Sequence, residues 1–150
     1  MESRKEIRFF GKDGKYAIFS NFANIPLVIG GLEYPTAEHY FQSMKFANTA
    51  PEYAEEVRLC PTPFKSKQLG KSRNHRIHPY WSGKDGESIR VMRRVLFCKA
   101  LQNKKFRDLL VSTGNAKIIE ASPFDTFWGE GKEKNGKNML GVLLEELRDR

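Results

Sequence analysis

Apolar residues recur along the chain with two different periods, and each period predicts a different kind of element. Before residue 35 the apolar runs are short and lie next to turn residues. Residues 7–10 precede a glycine-containing turn, and residues 27–29 and 32–34 flank the pair Gly30-Gly31. A two-residue glycine connection between apolar runs is typical of a β-hairpin. The sequence therefore predicts one short strand followed by a hairpin.

Helical spacing dominates after residue 35. Thr36 is a suitable cap for a helix whose apolar stripe is Ala37, Tyr40, Phe41, Met44 and Ala47. Pro51 and Pro63 suit the first turns of two more helices. Residues 85–110 predict a long and a short helix broken near Asn103, residues 116–121 predict a strand, and a last helix begins near Asn138. The predicted fold class is α+β: a single compact, mainly helical domain over residues 1–150 with a small antiparallel hairpin.

Composition limits the function classes. The chain has 150 residues, of which 39% are hydrophobic, and a net charge of +8. No apolar run approaches the ~20 residues that a membrane-spanning helix needs, and no signal-like segment is recognisable, so we expect a cytoplasmic protein with no membrane partner. The positive charge indicates an anionic partner, either a phosphorylated small molecule or a nucleic acid; a general solubilising charge is the alternative.

Two carboxylates lie in aromatic segments far apart in sequence. Glu38 belongs to residues 35–42, and Asp125 precedes Phe127 and Trp128. Burying an ionisable group without a partner costs several kcal/mol, so such acids are candidates for function. A carboxylate kept ionised in the first turn of a helix could stabilise a sugar cation or activate water. The alternatives are that Glu38 only favours the start of its helix and that Asp125 only shapes a turn.

Other residues could bind a ligand. Gln42 and Lys45 share a predicted helix face with Glu38, Trp128 offers a flat surface for stacking, and Gly129 allows a backbone to approach closely. A basic run could hold a phosphate, or could simply be a solvated face; it comprises Lys65, Lys67, Lys71, Arg73 and Arg76. A phosphate-loop motif is not present, because Lys65 stands where its first glycine would fall.

Several ordered motifs resemble those of one family. They are FSNF (19–22), PTAEHYFQ (35–42), GKSR (70–73), Trp81, VMRR (91–94), DTFWG (125–129) and GKNMLG (136–141). With these motifs the chain resembles the YbiA-like N-glycosidases of the NADAR superfamily over residues 9–147. The two segments that carry Glu38 and Asp125 are the most specific part of the resemblance.

The resemblance implies an α+β domain without a metal or organic cofactor and an activity on N-glycosidic bonds. The implied substrates are the phosphoribosylamino-pyrimidine intermediates of riboflavin biosynthesis, which would be split into ribose 5-phosphate and the aminopyrimidine. Relatives in the superfamily are linked to NAD and ADP-ribose derivatives. The alternatives are therefore an ADP-ribose glycohydrolase that acts on ADP-ribosylated guanine in nucleic acid, and a non-catalytic module that binds NAD or ADP-ribose derivatives.

Cleavage of such a bond builds positive charge on the ribose, which suggests a hypothesis for each residue. Glu38 would stabilise the cation and orient water, and Asp125 would bind ribose hydroxyls or assist proton transfer. The remaining candidates are Trp81 and Trp128 for stacking, Asn21, Gln42, Gly129 and Asn138 for contacts to the substrate, and Lys67, Lys71 and Arg73 for the phosphate. The roles of the two carboxylates could be exchanged.

Overall fold

The computed structural model describes residues 4–83 and 85–150, which form two compact units. The first unit contains the described residues up to Ala23 together with Asn103–Arg150, and the second contains Asn24–Gln102. In chain order the elements are strand β1 (Glu6–Phe9), a 3-10 turn (Ala17–Phe19), strands β2 (Leu27–Ile29) and β3 (Leu32–Tyr34), helices α1 (Ala37–Met44), α2 (Pro51–Leu59), α3 (Pro63–Leu69), α4 (Glu87–Gln102) and α5 (Lys104–Ser112), strand β4 (Lys117–Glu120), and helix α6 (Met139–Arg148).

The first unit is built on a parallel strand pair. β1 pairs with β4 in the register Glu6↔Lys117 to Phe9↔Glu120, and α6 packs against β4. Alternate residues of β1 are buried, because successive side chains of a strand point to opposite faces. The ring of Phe19 is fully buried and meets both Phe9 and Phe106 edge to face, with ring centroids 5.9 Å apart in each case. These apolar contacts form the core of this unit.

The entry into α6 holds the predicted Asp125 segment in place. Asn138 has a left-handed backbone (φ 50°), and its side chain bonds the backbone of β4: Oδ1 accepts from the Glu120 amide at 2.8 Å, and Nδ2 donates to the Ile118 carbonyl at 2.8 Å. The amides of residues 138–140 donate to carbonyls of residues 127–129. The first backbone amides of a helix have no partner within the helix and often bind an anion. At the start of α6 these amides donate to the carbonyls instead. The start of α6 is therefore a structural joint.

The second unit surrounds a buried helix. Seven of the eight residues of α1 are buried, and α1 contacts α2, α3, α4 and β3. Thr36 caps the helix by accepting from the His39 amide at 3.2 Å. β2 and β3 form the antiparallel hairpin, with Ile29 opposite Leu32 and both turn glycines at positive φ. That conformation explains the Gly-Gly pair.

Most of the elements expected from the sequence are present in the structure. The α+β class, the hairpin, the helix break at Asn103, the strand near residue 118 and the helix after Asn138 are confirmed. The single domain stays a prediction, since the chain forms the two units given above. Helix α1 ends at Met44, so Ala47 does not extend its stripe. Across residues 4–83 and 85–150, none of the helices has the length and apolar character needed to cross a membrane.

Candidate functional site

Glu38 is a buried carboxylate in the first turn of α1. It is 7% exposed, and its Oε2 accepts a hydrogen bond of 2.7 Å from Nε2 of Gln42, one turn further along the helix. The sequence pattern had placed these residues on a face beside the apolar stripe, and that face is also buried. Burial lowers the local dielectric constant. A buried carboxylate therefore interacts more strongly with a nearby positive charge than a carboxylate in water does.

His39, the next residue, has a structural role. It is fully buried; Nε2 donates to the Cys60 carbonyl at 3.0 Å, and Nδ1 lies 2.8 Å from the Thr36 hydroxyl. Because Nε2 carries the hydrogen, Nδ1 accepts from that hydroxyl. Burial lowers the pKa of His39 from its ordinary value. The imidazole is therefore neutral at physiological pH and anchors the helix that carries Glu38.

Lys45 extends the polar face of α1 toward the loop after α3. Its Nζ donates to the Gly70 carbonyl at 2.8 Å. Burial lowers the pKa of Lys45, nearby Lys71 lowers it further, and Glu38 acts in the opposite direction. Glu38, Gln42, Lys45 and Lys71 are thus gathered on one side of the second unit. The sequence pattern had linked the first three, and the proximity of Lys71 depends on the tertiary structure.

The loop at residues 70–76 presents cations on a rigid base. Ser72 bonds His75 (Oγ to Nδ1, 2.9 Å), and the His75 ring stacks on Tyr53 with centroids 3.6 Å apart. Lys71 and Arg73 are exposed, and within the described parts of the chain neither side chain pairs with a carboxylate. Lys67 is exposed on α3. An anchored backbone with exposed cations suits an anionic group such as a phosphate.

Aromatic residues border the same helix. Phe41 of α1 and Trp81 lie with ring centroids 5.1 Å apart at an interplanar angle of 58°. Trp81 is 5% exposed, and its backbone bonds both His78 and Ser88. Trp81 therefore packs in the protein interior beside α1, and its stacking on a substrate stays a prediction.

Asp125 shapes a turn in the first unit. Its Oδ1 accepts from the amides of Phe127 at 2.9 Å and Trp128 at 2.7 Å. The side chain of Asp125 is half-buried, and none of the described residues donates a hydrogen bond to its Oδ2. The turn interpretation of Asp125 is confirmed by these bonds, and they leave its second oxygen available for a ligand.

The residues after Asp125 are tightly packed. Trp128 is half-buried and meets Phe127 edge to face at 4.9 Å. A Cβ on Gly129 would lie 2.9 Å from the Asp125 carbonyl, so this glycine permits a close approach of the protein's own backbone. Both polar ends of the Asn138 side chain bond β4. Asn21, which follows the 3-10 turn, is 6% exposed.

The predicted site residues thus fall into two groups. Glu38, Gln42, Lys67, Lys71, Arg73 and Trp81 belong to the second unit, and Asn21, Asp125, Trp128, Gly129 and Asn138 belong to the first. The structure brings Glu38 and Gln42 into direct contact, and it joins Asp125 to Trp128 through the turn. The convergence of Glu38 with Asp125 stays a prediction.

Sequence reasoning missed one titratable residue, Lys99. It lies on the apolar stripe of α4 and is 1% exposed, and burial lowers its pKa from 10.5 to about 7. A lysine three residues after Leu96 and seven after Met92, on the stripe itself, was the available signal. Among residues 4–83 and 85–150, no three side chains of His, Cys, Asp or Glu are grouped so that they could hold a metal ion.

The chain has an α+β fold with a buried glutamate at the start of α1, and its sequence matches one protein family. The profile of the NADAR domain matches residues 8–150. N-glycosidase YbiA of Escherichia coli is 39% identical over 145 residues, which cover 95% of this chain and 86% of YbiA. The NMR structure of that protein matches this chain with a TM-score of 0.87 at 36% sequence identity. The match covers 99% of this chain and 86% of the chain in the NMR structure.

A riboflavin biosynthesis protein of Vibrio vulnificus is 31% identical over 95% of this chain and 38% of its own length. The chain belongs to the NADAR family.

Proposed function

We propose that this protein is an N-glycosidase that hydrolyses phosphoribosylamino-pyrimidine intermediates of riboflavin biosynthesis and releases ribose 5-phosphate and the aminopyrimidine. The class, a hydrolase of N-glycosyl bonds, is supported by the family and by the name of the relative that this chain matches along most of its length. The observation that carries the chemistry is the buried Glu38 carboxylate held by Gln42. The riboflavin substrate is supported by the name of the Vibrio relative.

In the proposed reaction the bond between the anomeric carbon and the base nitrogen breaks, and its electron pair leaves with the nitrogen. The ribose gains positive charge, which the Glu38 carboxylate stabilises at short range in a water-poor environment. Water then bonds to the anomeric carbon. Glu38 orients this water and accepts its proton, and that same proton passes on to the departing nitrogen, so the carboxylate is regenerated and the products are the neutral base and ribose 5-phosphate.

The phosphate is assigned to the loop after α3. Lys71 and Arg73 are exposed cations on an anchored backbone, and Lys71 is close enough to Lys45 to lower its pKa. A dianionic phosphate between these groups would offset their mutual repulsion. Lys67 is the third candidate for this contact. Trp128 is assigned to the base, because its flat ring is only half-buried.

Asp125 is assigned to the ribose hydroxyls or to proton transfer, and two substitutions separate this role from its turn. Asp125→Asn keeps an oxygen that can accept from the amides of Phe127 and Trp128, whereas Asp125→Ala removes it. We expect the Asn variant to retain its melting temperature and to lose roughly 10- to 100-fold in kcat/KM. The Ala variant should also melt at a lower temperature. Full activity of the Asn variant would restrict Asp125 to the turn.

The proposed function is tested by measuring hydrolysis of the N-glycosidic bond in two substrates side by side. One is the phosphoribosylamino-pyrimidine, and the other is DNA carrying ADP-ribosylated guanine. We expect release of the aminopyrimidine and a much lower kcat/KM for the modified DNA. Faster release of ADP-ribose from DNA would replace the riboflavin substrate with the nucleic-acid one. Binding without release from either substrate would indicate a non-catalytic module.

A further inference from the structure

Gln42 has an unusual arrangement of its two amide ends. Nε2 donates to Glu38 Oε2 at 2.7 Å, while Oε1 is buried and has no hydrogen-bond partner among residues 4–83 and 85–150. A carboxylate only accepts hydrogen bonds, so the donating end of the amide must face Glu38 and the oxygen must point away. Leaving an acceptor buried and unpaired costs free energy, and an apolar side chain at this position would avoid that cost.

Gly70 forms the surface against which that oxygen rests. A Cβ added at Gly70 would overlap Oε1 of Gln42 and would lie 2.7 Å from its Cδ. The backbone of Gly70 is in the ordinary right-handed region (φ −64°, ψ −15°), which alanine also adopts. A side chain at residue 70 would therefore displace the Gln42 amide, whereas the turn itself would accept alanine. Lys45 holds the same residue through its carbonyl at 2.8 Å.

From this geometry we infer that Gln42 is a positioning residue: its amide, seated on Gly70, holds the Glu38 carboxylate in one orientation and in its ionised form. This inference rests on the proposed function and adds to it the part of the protein that aligns the reacting carboxylate. Gly70, which follows Gln42 by 28 residues in sequence, acts through that residue.

Charged groups also lie on the elements that pack around α1. Lys45 lies on the same helix, and Lys71 follows α3. The guanidinium of Arg94 on α4 donates to the Tyr40 hydroxyl at 3.3 Å, and the Glu55–Arg58 pair of α2 lies at Tyr34 and the Glu33 carbonyl. The neutral amide of Gln42 donates directly to the carboxylate at 2.7 Å, so a change there should act on it strongly.

Replacing the amide with an acid tests this contact. Gln42→Glu places two carboxyl groups at hydrogen-bond distance, and two such groups share a proton up to a higher pH than one group alone. Since Glu38 works ionised, the acidic limb of the kcat/KM profile should move up by about one pH unit or more. Gln68→Glu makes the same change at an exposed position of α3 and should leave the limb in place. An unmoved limb in Gln42→Glu would overturn the inference.

A double-mutant cycle tests the contact between the Gln42 amide and Gly70. Gly70→Ala and Gln42→Ala should each lower kcat by roughly 10- to 100-fold with a smaller change in KM. All three atoms nearest an added Cβ belong to the Gln42 side chain beyond Cβ, so Gly70→Ala should have little further effect in the Gln42→Ala background. Additive losses would show that Gly70 does not act through Gln42. Melting curves of each variant distinguish a loss of fold from a loss of alignment.

A readout independent of turnover separates this inference from the proposed function. In protein labelled with 13C at glutamate carboxyls, the titration midpoint of Glu38 should rise in Gly70→Ala and in Gln42→Ala relative to the wild type. Shifted midpoints in a protein that releases no base would retain the positioning role and remove the glycosidase. Base release with unchanged midpoints and unchanged pH limbs would do the opposite.

Discussion

Glu38→Gln is expected to lower kcat for base release by about 10²- to 10⁴-fold. The substitution keeps the shape of the side chain, and a glutamine at residue 38 can turn its oxygen toward Nε2 of Gln42, so the 2.7 Å contact of the wild type has a neutral substitute. The negative charge is lost, and one acceptor oxygen is replaced by an NH2 group. That charge is what stabilises the ribose cation and accepts the proton of water, and both act in the transition state. KM should therefore change much less than kcat.

The measurement is a steady-state release assay on the phosphoribosylamino-pyrimidine, with melting curves to establish that the variant folds. Glu33→Gln is the matched control, because it makes the same change at an exposed position of β3 in the same unit. It should retain wild-type turnover. A folded Glu38→Gln variant with unchanged kcat would remove Glu38 from the chemistry. If neither the wild type nor the variant turned the substrate over and both bound it equally well, the protein would be a binding module.

Lys99 should make the stability of the protein depend on pH. Its pKa is about 7 in the folded chain, against an ordinary value of 10.5, because burial penalises the charged ammonium. Between these two values the unfolded chain binds more protons than the folded chain. The free energy of unfolding therefore rises with pH over this interval, by at most about 1.4 kcal/mol per pH unit, and the contribution is flat below the folded pKa and above the unfolded one.

The test compares the wild type with Lys99→Met, a side chain of similar length without a titrating group. Urea unfolding of both proteins is measured at intervals from about pH 7 to about pH 10. The difference in free energy, wild type minus variant, should increase steadily with pH. Other titrating groups, including Lys45 and the cysteines, occur in both proteins and cancel in this difference. Parallel curves would show that Lys99 has an ordinary pKa in the folded state.

Most secondary structure followed from local pattern. Thr36, Pro51, Pro63 and Asn103 sit at helix starts, and the Gly30-Gly31 pair sits in the hairpin turn. Each is a residue whose own backbone or side chain prefers that position, so neighbours in sequence are enough to recognise it. Asp125 belongs to the same class, since its turn bonds reach only two and three residues ahead.

The candidate site depends partly on local sequence pattern and partly on contacts between residues far apart in sequence. The contact between Glu38 and Gln42 follows from helical spacing, and the motif that contains them marked both as candidate site residues. The contact of Gln42 with Gly70 and the bond from Lys45 to the Gly70 carbonyl join residues 25 or more positions apart. Sequence spacing carries no information on such contacts.

By itself, then, the sequence determined the family, the α+β class, the helix starts, the hairpin turn and the residue types available for chemistry, because these depend on local preferences and on motifs. Tertiary structure decided that β1 pairs in parallel with β4, that α1 is buried nearly all round, and that Lys99 loses its contact with water. The physical reason is that burial and long-range pairing are properties of the packed chain. The same side chain has a different pKa, and a different partner, according to what surrounds it.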